Sequence, residues 1–468
     1  MENGCVIMKY FFQRTLISLV FATVFLQVIA LPGEADSALL IGLSTGDDRA
    51  VFAAPNAQIT LISSSGGKAS FRSTVNVVAL SPGVVKAGSV NLKLPVTVRS
   101  NALLRWNNRP YRGHYRLVQQ GAGFNVVNVV GVEDYLKGVL KMEVNPAWPM
   151  ESLKAQTIIA RTYALRNRGR HGSSGFDLCA LSHCQVYRGV NAEERVLSKS
   201  VDQTRGQVLK YQGALAATFY HADSGGHTAD VSSVWGSSIP YLKGSPEPMK
   251  YQSPYSSWTT TMRLSEIQRS LSSKGINVGK LTGISISSID SAGRTANVTL
   301  TGTSGRTTIR ASQFRTIVGP DRIRSTFFSI GRDPVAAAPA IPYGNTSPGS
   351  GEDELIPLNA KDEQMLIAFT QQGLFKTEEL MDMLIKPEKR GLYLRKALER
   401  QSGPGSPQKA PSFDAPVTGD TVTFSGRGWG HGVGLSQWGA KSLAESGWDH
   451  RKILKHYFPG TEISRISN

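Results

Sequence analysis

The sequence predicts an α+β fold of mixed strands and helices in one large domain with a small helical insertion. Three observations carry this: a strand-rich beginning, a helix-dominated stretch from 132 to 170, and a return to short strands without regular strand–helix alternation. A doubly wound parallel sheet is therefore not expected. Residues 37 to about 130 are rich in Val, Leu and Ser, are punctuated by Gly and Pro, and alternate in runs such as 91–98 and 123–130. A further helix is expected at 192–203, strands through 207–220, and two alternating runs over 284–309 around Ser291-Ala292-Gly293.

The stretch 131–166, GVEDYLKGVLKMEVNPAWPMESLKAQTIIARTYALR, reads as two helices joined by a proline-bounded turn. From 132 to 141, Tyr135, Leu136, Val139 and Leu140 recur at helical spacing; beyond the turn Leu153, Thr157, Ile158, Ala160, Ala164 and Leu165 do the same. Pro149 suits the first turn of the second helix, where its missing N–H costs nothing, and Glu151 suits the positive end of that helix. Glu143 falls at or just past the end of the first helix. There the negative dipole end and the apolar neighbours Met142, Val144 and Trp148 disfavour its ionised form. A carboxyl still partly protonated near neutral pH is what protonation of a glycosidic oxygen requires. A solvated helix-end acid is the other reading of the same local pattern.

The stretches 332–352 and 401–417 are loaded with Pro, Gly, Ser and Ala, which marks linker. Between them, 360–401 repeats Leu and Met at helical spacing and is read as an inserted unit, either a partner-docking module or a tether with marginal helices. The expected organisation is an N-terminal segment 1–35, a domain body 37–330, linkers with the insertion over 331–417, and a Gly-rich segment 418–468 that completes the domain.

Lys and Arg number 52 against 35 Asp and Glu, a net charge of +17, so the surface favours polyanions. The bases are scattered, and no RNP, zinc-finger or helix-turn-helix spacing is present, which argues against nucleic acid. Lys9 and Arg14 precede an uncharged run over 15–31 followed by Pro32-Gly33-Glu34-Ala35, the pattern of an export signal. Its length lies between a signal-peptide core and a spanning helix, so an uncleaved membrane anchor is the alternative. Cys5 precedes the run and is not a lipoprotein cysteine. In an exported chain, Cys179 and Cys184 are compatible with a disulfide loop, with structural zinc held together with His183 and His171, or with free thiols. A zinc with four protein ligands is closed to water and would brace the wall of the site rather than do chemistry.

The segment around Glu143 resembles the signature of the sporulation stage II protein D family (SpoIID/LytB), in which an acid-plus-proline turn precedes a helix close to LKAQxxxARTYA, here 153–164. In the expected order follow Asp177-Leu178-Cys179, Ser182 to Gly189 (SHCQVYRG), Phe219 to Thr228 (FYHADSGGHT) and Gly426 to Ala440 (GRGWGHGVGLSQWGA), similar to the family's GHGVGxSQxGA ending. The resemblance covers roughly 95–330 and 420–460, and the insertion departs from the compact family pattern. It implies peptidoglycan as substrate, lytic transglycosylase or amidase-enhancer activity, metal at the Cys/His cluster in some relatives, and the catalytic acid at Glu143. It also carries over Tyr187, His221, Ser224, His431, Ser436 and Gln437 as substrate-binding residues.

Two serine motifs are rejected as nucleophiles. Ala222 to Gly226 (ADSGG) resembles a chymotrypsin-like segment, but the chain before it offers no recognisable histidine segment of that class. Ser436 lacks the GxSxG elbow spacing. The expected reaction is cleavage of the bond between N-acetylmuramic acid and N-acetylglucosamine, with Glu143 as acid and then base and no cofactor required. A hydrolase would need a second carboxylate about 5–9.5 Å away. Glu133 and Asp134 lie two turns earlier, and Glu151 is explained as a helix-start acid. The expected partners are glycan strands and a wall amidase or other envelope protein, with the membrane reached only through an uncleaved N-terminal segment.

Overall fold

The computed structural model describes residues 38–247, 251–331 and 420–466, together with six helical residues of the insertion: Leu366, Met383, Arg390, Gly391, Tyr393 and Leu394. The N-terminal apolar run and both linkers lie outside the described residues. Among the described residues no helix is long and apolar enough to cross a membrane. The architecture is α+β, and the described residues group into two compact units, 38–142 with 167–193 and 466, and 143–166 with those of 194–465.

The first unit is built on β1 (Ala38–Asp47), β2 (Arg49–Ser63), β3 (Lys68–Ser81), β4 (Val84–Ala87), β5 (Val90–Lys93), β6 (Val96–Ser100), β7 (Leu104–Trp106), β8 (Arg109–Tyr111), β9 (His114–Gln120), β10 (Gly123–Gly131) and β11 (Leu178–Cys179). They form one sheet ordered β11-β1-β10-β9-β6-β2-β3-β4-β5, with β7 paired to β2 and β8 to β7. In β2 the buried residues Ala50, Phe52 and Ala54 give way to Ile59 and Leu61, because a register shift between Ala53 and Gln58 reverses the parity of the strand. The alternation survives, so one face stays apolar along the whole strand. Tyr111, Tyr115, Tyr135 and Tyr187 pack in this core with ring centroids 5.0–6.2 Å apart.

Helix α1 (Val132–Lys137) follows β10. Its apolar repeat is buried as expected, but the helix does not reach 141. Gly138 interrupts it, and a 3₁₀ turn, Leu140–Met142, replaces the last turn. Glycine is a poor helix residue, and the Tyr187 ring lies where a Cβ at Gly138 would stand, so the site favours glycine over a helix former.

The second unit contains α2 (Met150–Arg166), α3 (Arg195–Gln203), β12 (Gln207–Tyr211), β13 (Ala214–Leu215), β14 (Tyr220–His221), α4 (Val231–Trp235), β15 (Trp258–Arg263), α5 (Leu264–Ser272), β16 (Leu281–Ile289), β17 (Thr295–Gly302), β18 (Gly305–Arg310), α6 (Ala311–Val318), β19 (Phe328–Ile330), β20 (Thr421–Gly426), β21 (Leu435–Ser436), α7 (Gln437–Glu445), α8 (His450–Tyr457) and β22 (Glu462–Arg465). The run expected as two strands over 284–309 is a three-stranded sheet, because Thr303-Ser304 turns the chain once more into β18. One core gathers α2, α7 and α8 around Ile158, Ile159, Leu443, Ile453 and Phe458. A second gathers α5 and α6 against the sheet β15-β20-β19 around Phe314, Phe424 and Ile267. Segment 420–465 serves both: β20 lies between β15 and β19, and β22 pairs with β12.

Helix α2 also explains its own signature. Arg161 is fully buried, and its guanidinium donates to the carbonyls of Gln207 (3.0 Å) and Val201 (3.4 Å) and to Thr204, so it binds the C-terminal end of α3 to the start of β12. Thr157 shares a 2.9 Å hydrogen bond with Ser200, and the Thr162 hydroxyl accepts from the Leu209 N–H at 2.9 Å. Arg161, Thr157 and Thr162 of this helix are thus structural, whereas the buried amide of Gln156 has no partner among the described residues.

Candidate active site

The 3₁₀ turn Leu140–Met142 ends at Glu143, and the chain then closes on itself before α2. The Trp148 N–H donates to the Asn145 carbonyl (3.1 Å), and the Pro149 carbonyl accepts from the Ser152 N–H (3.0 Å) and hydroxyl (2.7 Å). Pro149 thus stands just before the first helical residue. The Trp148 ring meets Trp438 edge-on at 5.2 Å, which ties this loop to the Gly-rich C-terminal motif.

Glu143 is half-buried, and loss of surrounding water lifts its carboxyl from 4.5 to about 7, with a hydrogen bond from the Tyr220 side chain pulling the other way. The expected contribution of a helix dipole is not realised, since a three-residue turn carries little of one. Of the expected apolar neighbours Val144 is buried, whereas Met142 is 47% exposed and shields little.

Tyr220 was not singled out in the sequence, although it stands inside the FYHADSGGHT motif. Its strand β14 pairs in parallel with β21, aligning Tyr220 with Leu435 and His221 with Ser436. His431 supports it from behind. Its Nδ1 accepts from the Val433 N–H at 3.0 Å, and the ring hydrogen-bonds the Tyr220 backbone. Burial, followed by the charges of Arg315 and Arg294, pushes His431 down to about 4, so it is neutral near pH 7. His221 lies 5.5 Å away, is buried, and is likewise held neutral by desolvation; its Nδ1 lies 3.2 Å from the Val433 carbonyl and its buried Nε2 has no partner. The two histidines are therefore brought together, as hydrogen-bonding groups and not as cations.

Ser224 and Ser436, expected at the substrate, are instead fully buried and committed to internal bonds. Ser436 is the N-cap of α7, accepting from the Gly439 N–H (3.2 Å) and also from the Ser224 N–H (3.2 Å). The Ser224 hydroxyl donates to Glu247 (2.9 Å) and accepts from the Gly226 N–H (3.0 Å). Asp223 accepts from the Gly225 N–H (2.7 Å), Tyr251 (3.1 Å) and Ser253. These bonds close a tight turn for which Gly225, at φ 73°, is suited, and they rule out both serines as nucleophiles on structural grounds as well. Gln437, at 8% exposure, is the first residue of α7.

Glu247 is the acid that sequence reasoning missed. It sits in a Ser-Pro-Glu-Pro loop with no periodic signal, and its partners come from afar: Ser224 and the Tyr457 hydroxyl, which donates at 2.7 Å. Burial lifts it to about 7 as well. Its carboxylate and the Tyr457 hydroxyl stand where a side chain at Gly439 would go, so the third residue of α7 is glycine. Glu151, by contrast, is partly desolvated, but hydrogen bonds from Lys154 and His450 (both 2.6 Å) outweigh this and hold it at about 2. It is a fixed anion that joins α2 to α8.

In the first unit, Tyr187 is 1% exposed and its hydroxyl donates to Asn128 at 3.0 Å. It is a core tyrosine, which corrects the expectation that it lines the substrate site. The loop 167–185 gathers His171, Cys179, His183 and Cys184, whose ligand atoms all lie within 4.8 Å of one another. Both cysteines are free. Three of the six ligand–ligand separations, His171 Nε2–Cys184 Sγ (3.3 Å), Cys184 Sγ–His183 Nδ1 (3.6 Å) and Cys179 Sγ–His183 Nδ1 (3.8 Å), match the edges, about 3.3–3.8 Å, of a tetrahedron with zinc bonds of about 2.0–2.3 Å. The donor set therefore fits a Cys₂His₂ cation. β11 pairs with β1, and Phe176 packs over Gly42, so the cluster braces a loop against the sheet.

Residues 120–211 match the model of the SpoIID family, described as stage II sporulation protein. The chain is 25% identical over 358 residues to an uncharacterized protein of Brachyspira hyodysenteriae, covering 76% of this chain and 73% of that one. It is 28% identical over 334 residues to the amidase enhancer of Bacillus subtilis, covering 70% of this chain and 40% of the relative, less than half of its length. With the stage II sporulation protein D of Bacillus subtilis it shares 24% identity over 356 residues, 72% of this chain and 76% of that one. These matches support the SpoIID family that the motifs point to.

Proposed function

Proceeding from that family, we propose that the protein is an exported peptidoglycan lytic transglycosylase whose single catalytic carboxyl is Glu143. The observation that carries this reading is the state of Glu143: a half-buried carboxyl lifted to about 7, hydrogen-bonded by Tyr220, on a loop fixed by Pro149 and Trp148. Near neutral pH such a group is present in both forms, as a group that first gives and then takes a proton should be. Protonated Glu143 donates to the glycosidic oxygen between N-acetylmuramic acid and N-acetylglucosamine, and that bond breaks. The muramyl 6-hydroxyl bonds to the anomeric carbon, and its proton passes to the Glu143 carboxylate, which restores the acid and leaves a 1,6-anhydro end. The roles we assign to the remaining groups follow from their bonds: Tyr220 orients the carboxyl, and neutral His431 fixes the Tyr220 backbone. No cofactor enters these steps. Zinc at the Cys/His cluster, held by His171, Cys179, His183 and Cys184, would supply structural stability to the loop alone.

A second reading is favoured by the name of one relative, amidase enhancer. In it the same protein binds peptidoglycan without cleaving it and recruits or activates a wall amidase. Purified protein and its Glu143→Gln variant, incubated with glycan strands with and without stem peptides, separate the two. The transglycosylase reading expects anhydro-muramyl ends from the parent alone; equal amounts from parent and variant sink it.

A further inference from the structure

Between residues 49 and 132 stand ten Lys and Arg and not one Asp or Glu, although the whole chain has an acid at 35 of its 468 positions. The bases are scattered along the chain; in the sheet of the first unit the acid is Asp47 at the end of β1, and strands β2 to β10 carry none. Strand register shows where the bases lie. On the face away from the core, Lys68 of β3 stands opposite Ile62 of β2, Ile62 opposite Thr97 of β6, and Thr97 opposite Arg116 of β9. In the next row Ser70, Thr60 and Arg99 are aligned, and beyond it Arg72 stands opposite Gln58. Each row carries positive charge, separated by hydroxyl, amide or aliphatic side chains. With strands about 4.8 Å apart, Lys68 and Arg116 are roughly 14 Å from each other across the sheet. Lys68, Ser70 and Arg72 are exposed. Among the described residues none of Lys68, Arg72, Arg99 and Arg116 pairs with an acid, and the buried Nε of Arg99 has no partner.

We propose that this acid-free sheet face is a docking surface for the carboxylate-bearing glycan of the cell wall, an inference that rests on the peptidoglycan reading above. Unpaired cations on one face, with no acid to repel a polyanion, raise its local concentration and its on-rate. The spacing selects among polyanions. Isolated bases interleaved with Thr, Ser and Gln suit carboxylates carried at intervals along a sugar chain, whereas phosphate is gripped by paired guanidinium forks or helix N-termini, neither of which stands in these rows. No aromatic ring occupies the outward positions of these rows, so nothing there stacks on a nucleobase.

The test uses the full-length protein and purified peptidoglycan freed of other wall polymers, with the bound fraction measured by co-sedimentation at low and high salt. Parent and Glu143→Gln are expected to bind alike. Lys68→Glu combined with Arg72→Glu should weaken binding about tenfold at low salt and less at high salt, since the effect is electrostatic. Lys68→Gln with Arg72→Gln should show a smaller loss, and it carries the test if circular dichroism shows the charge-reversed pair unfolded. Amidating the carboxylates of the peptidoglycan should weaken the parent comparably. The proposal is overturned if a folded double variant binds as the parent does, if amidated peptidoglycan is bound equally well, or if the substitutions lower affinity for DNA or anionic vesicles and leave peptidoglycan untouched. Anhydro-end formation from short soluble glycans, measured on the same preparations, depends on Glu143 and not on this face. Failure of cleavage with binding still dependent on Lys68 and Arg72 therefore counts against the transglycosylase alone.

Discussion

Glu143 and Glu247 lie in the same unit, and burial lifts both to about 7, yet they are built for different work. Glu247 is held between the Ser224 and Tyr457 hydroxyls at 2.9 and 2.7 Å and packs over Gly439, in a cluster with Asp223, Tyr251 and Ser436. Glu143 has the Tyr220 hydrogen bond and sits on a half-buried loop outside any regular element. A raised carboxyl alone is therefore a poor guide to chemistry. Saturation of its hydrogen bonds separates the two: Glu247 joins two motifs into a turn, while Glu143 keeps capacity for a substrate.

The comparison breaks most sharply in activity. Glu143→Gln should lower formation of anhydro-muramyl ends by about 10²–10⁴-fold, the usual share of general acid–base catalysis, with the melting temperature nearly unchanged. Glu247→Gln should do the reverse, keeping most activity and losing stability; equal activity losses from the two substitutions would remove the distinction.

Next in size is the Cys/His cluster of the other unit. Metal analysis of the purified parent should find about one zinc per chain, and Cys179→Ser with Cys184→Ser should lose it together with several degrees of melting temperature. Unchanged metal content in that variant would exclude the site.

Glu247→Ala removes the acceptor for two buried hydroxyls and should cost about 1–3 kcal/mol in denaturant unfolding. Linkage adds a pH signature. Because the folded state holds Glu247 and Glu143 protonated up to about 7 while the unfolded chain ionises near 4.5, the folded form binds more protons in that window. Stability from these groups is thus fully present below 4.5 and lost as pH rises to about 7; Glu247→Gln should flatten part of this slope.

Smallest is Tyr220→Phe. The Tyr220 hydrogen bond lowers the Glu143 carboxyl, so its removal should raise it further and move the alkaline limb of the pH–rate profile to higher pH, with a modest loss of rate. A shift to lower pH would show that Tyr220 does not bond the ionised form.

Much of this was legible in the sequence where the signal is local. The apolar repeats of α1 and α2, the proline before α2 and the strand alternation of the first unit all follow from periodicity and from Pro chemistry. The break at Gly138 did not, because what opposes a longer helix is a tyrosine ring from a distant segment. Motif letters pointed to Ser224, Ser436 and Tyr187 without saying whether they face solvent, and all three are buried. Ser436 was readable as a helix N-cap, since it directly precedes α7. Glu247 was not readable at all: one of its partners is 210 positions away. The absence of acids over 49–132 was in plain sight, but only register turned it into a face.

The central claim is that Glu143 alone gives and takes the proton. Anhydro-muramyl ends released from purified glycan, measured from pH 5 to 9 for the parent and for Glu143→Gln, test it most directly. The account predicts release by the parent that declines as pH rises through about 7 and essentially none from the variant. Release by Glu143→Gln at the parent's level, with the same pH dependence, would contradict it.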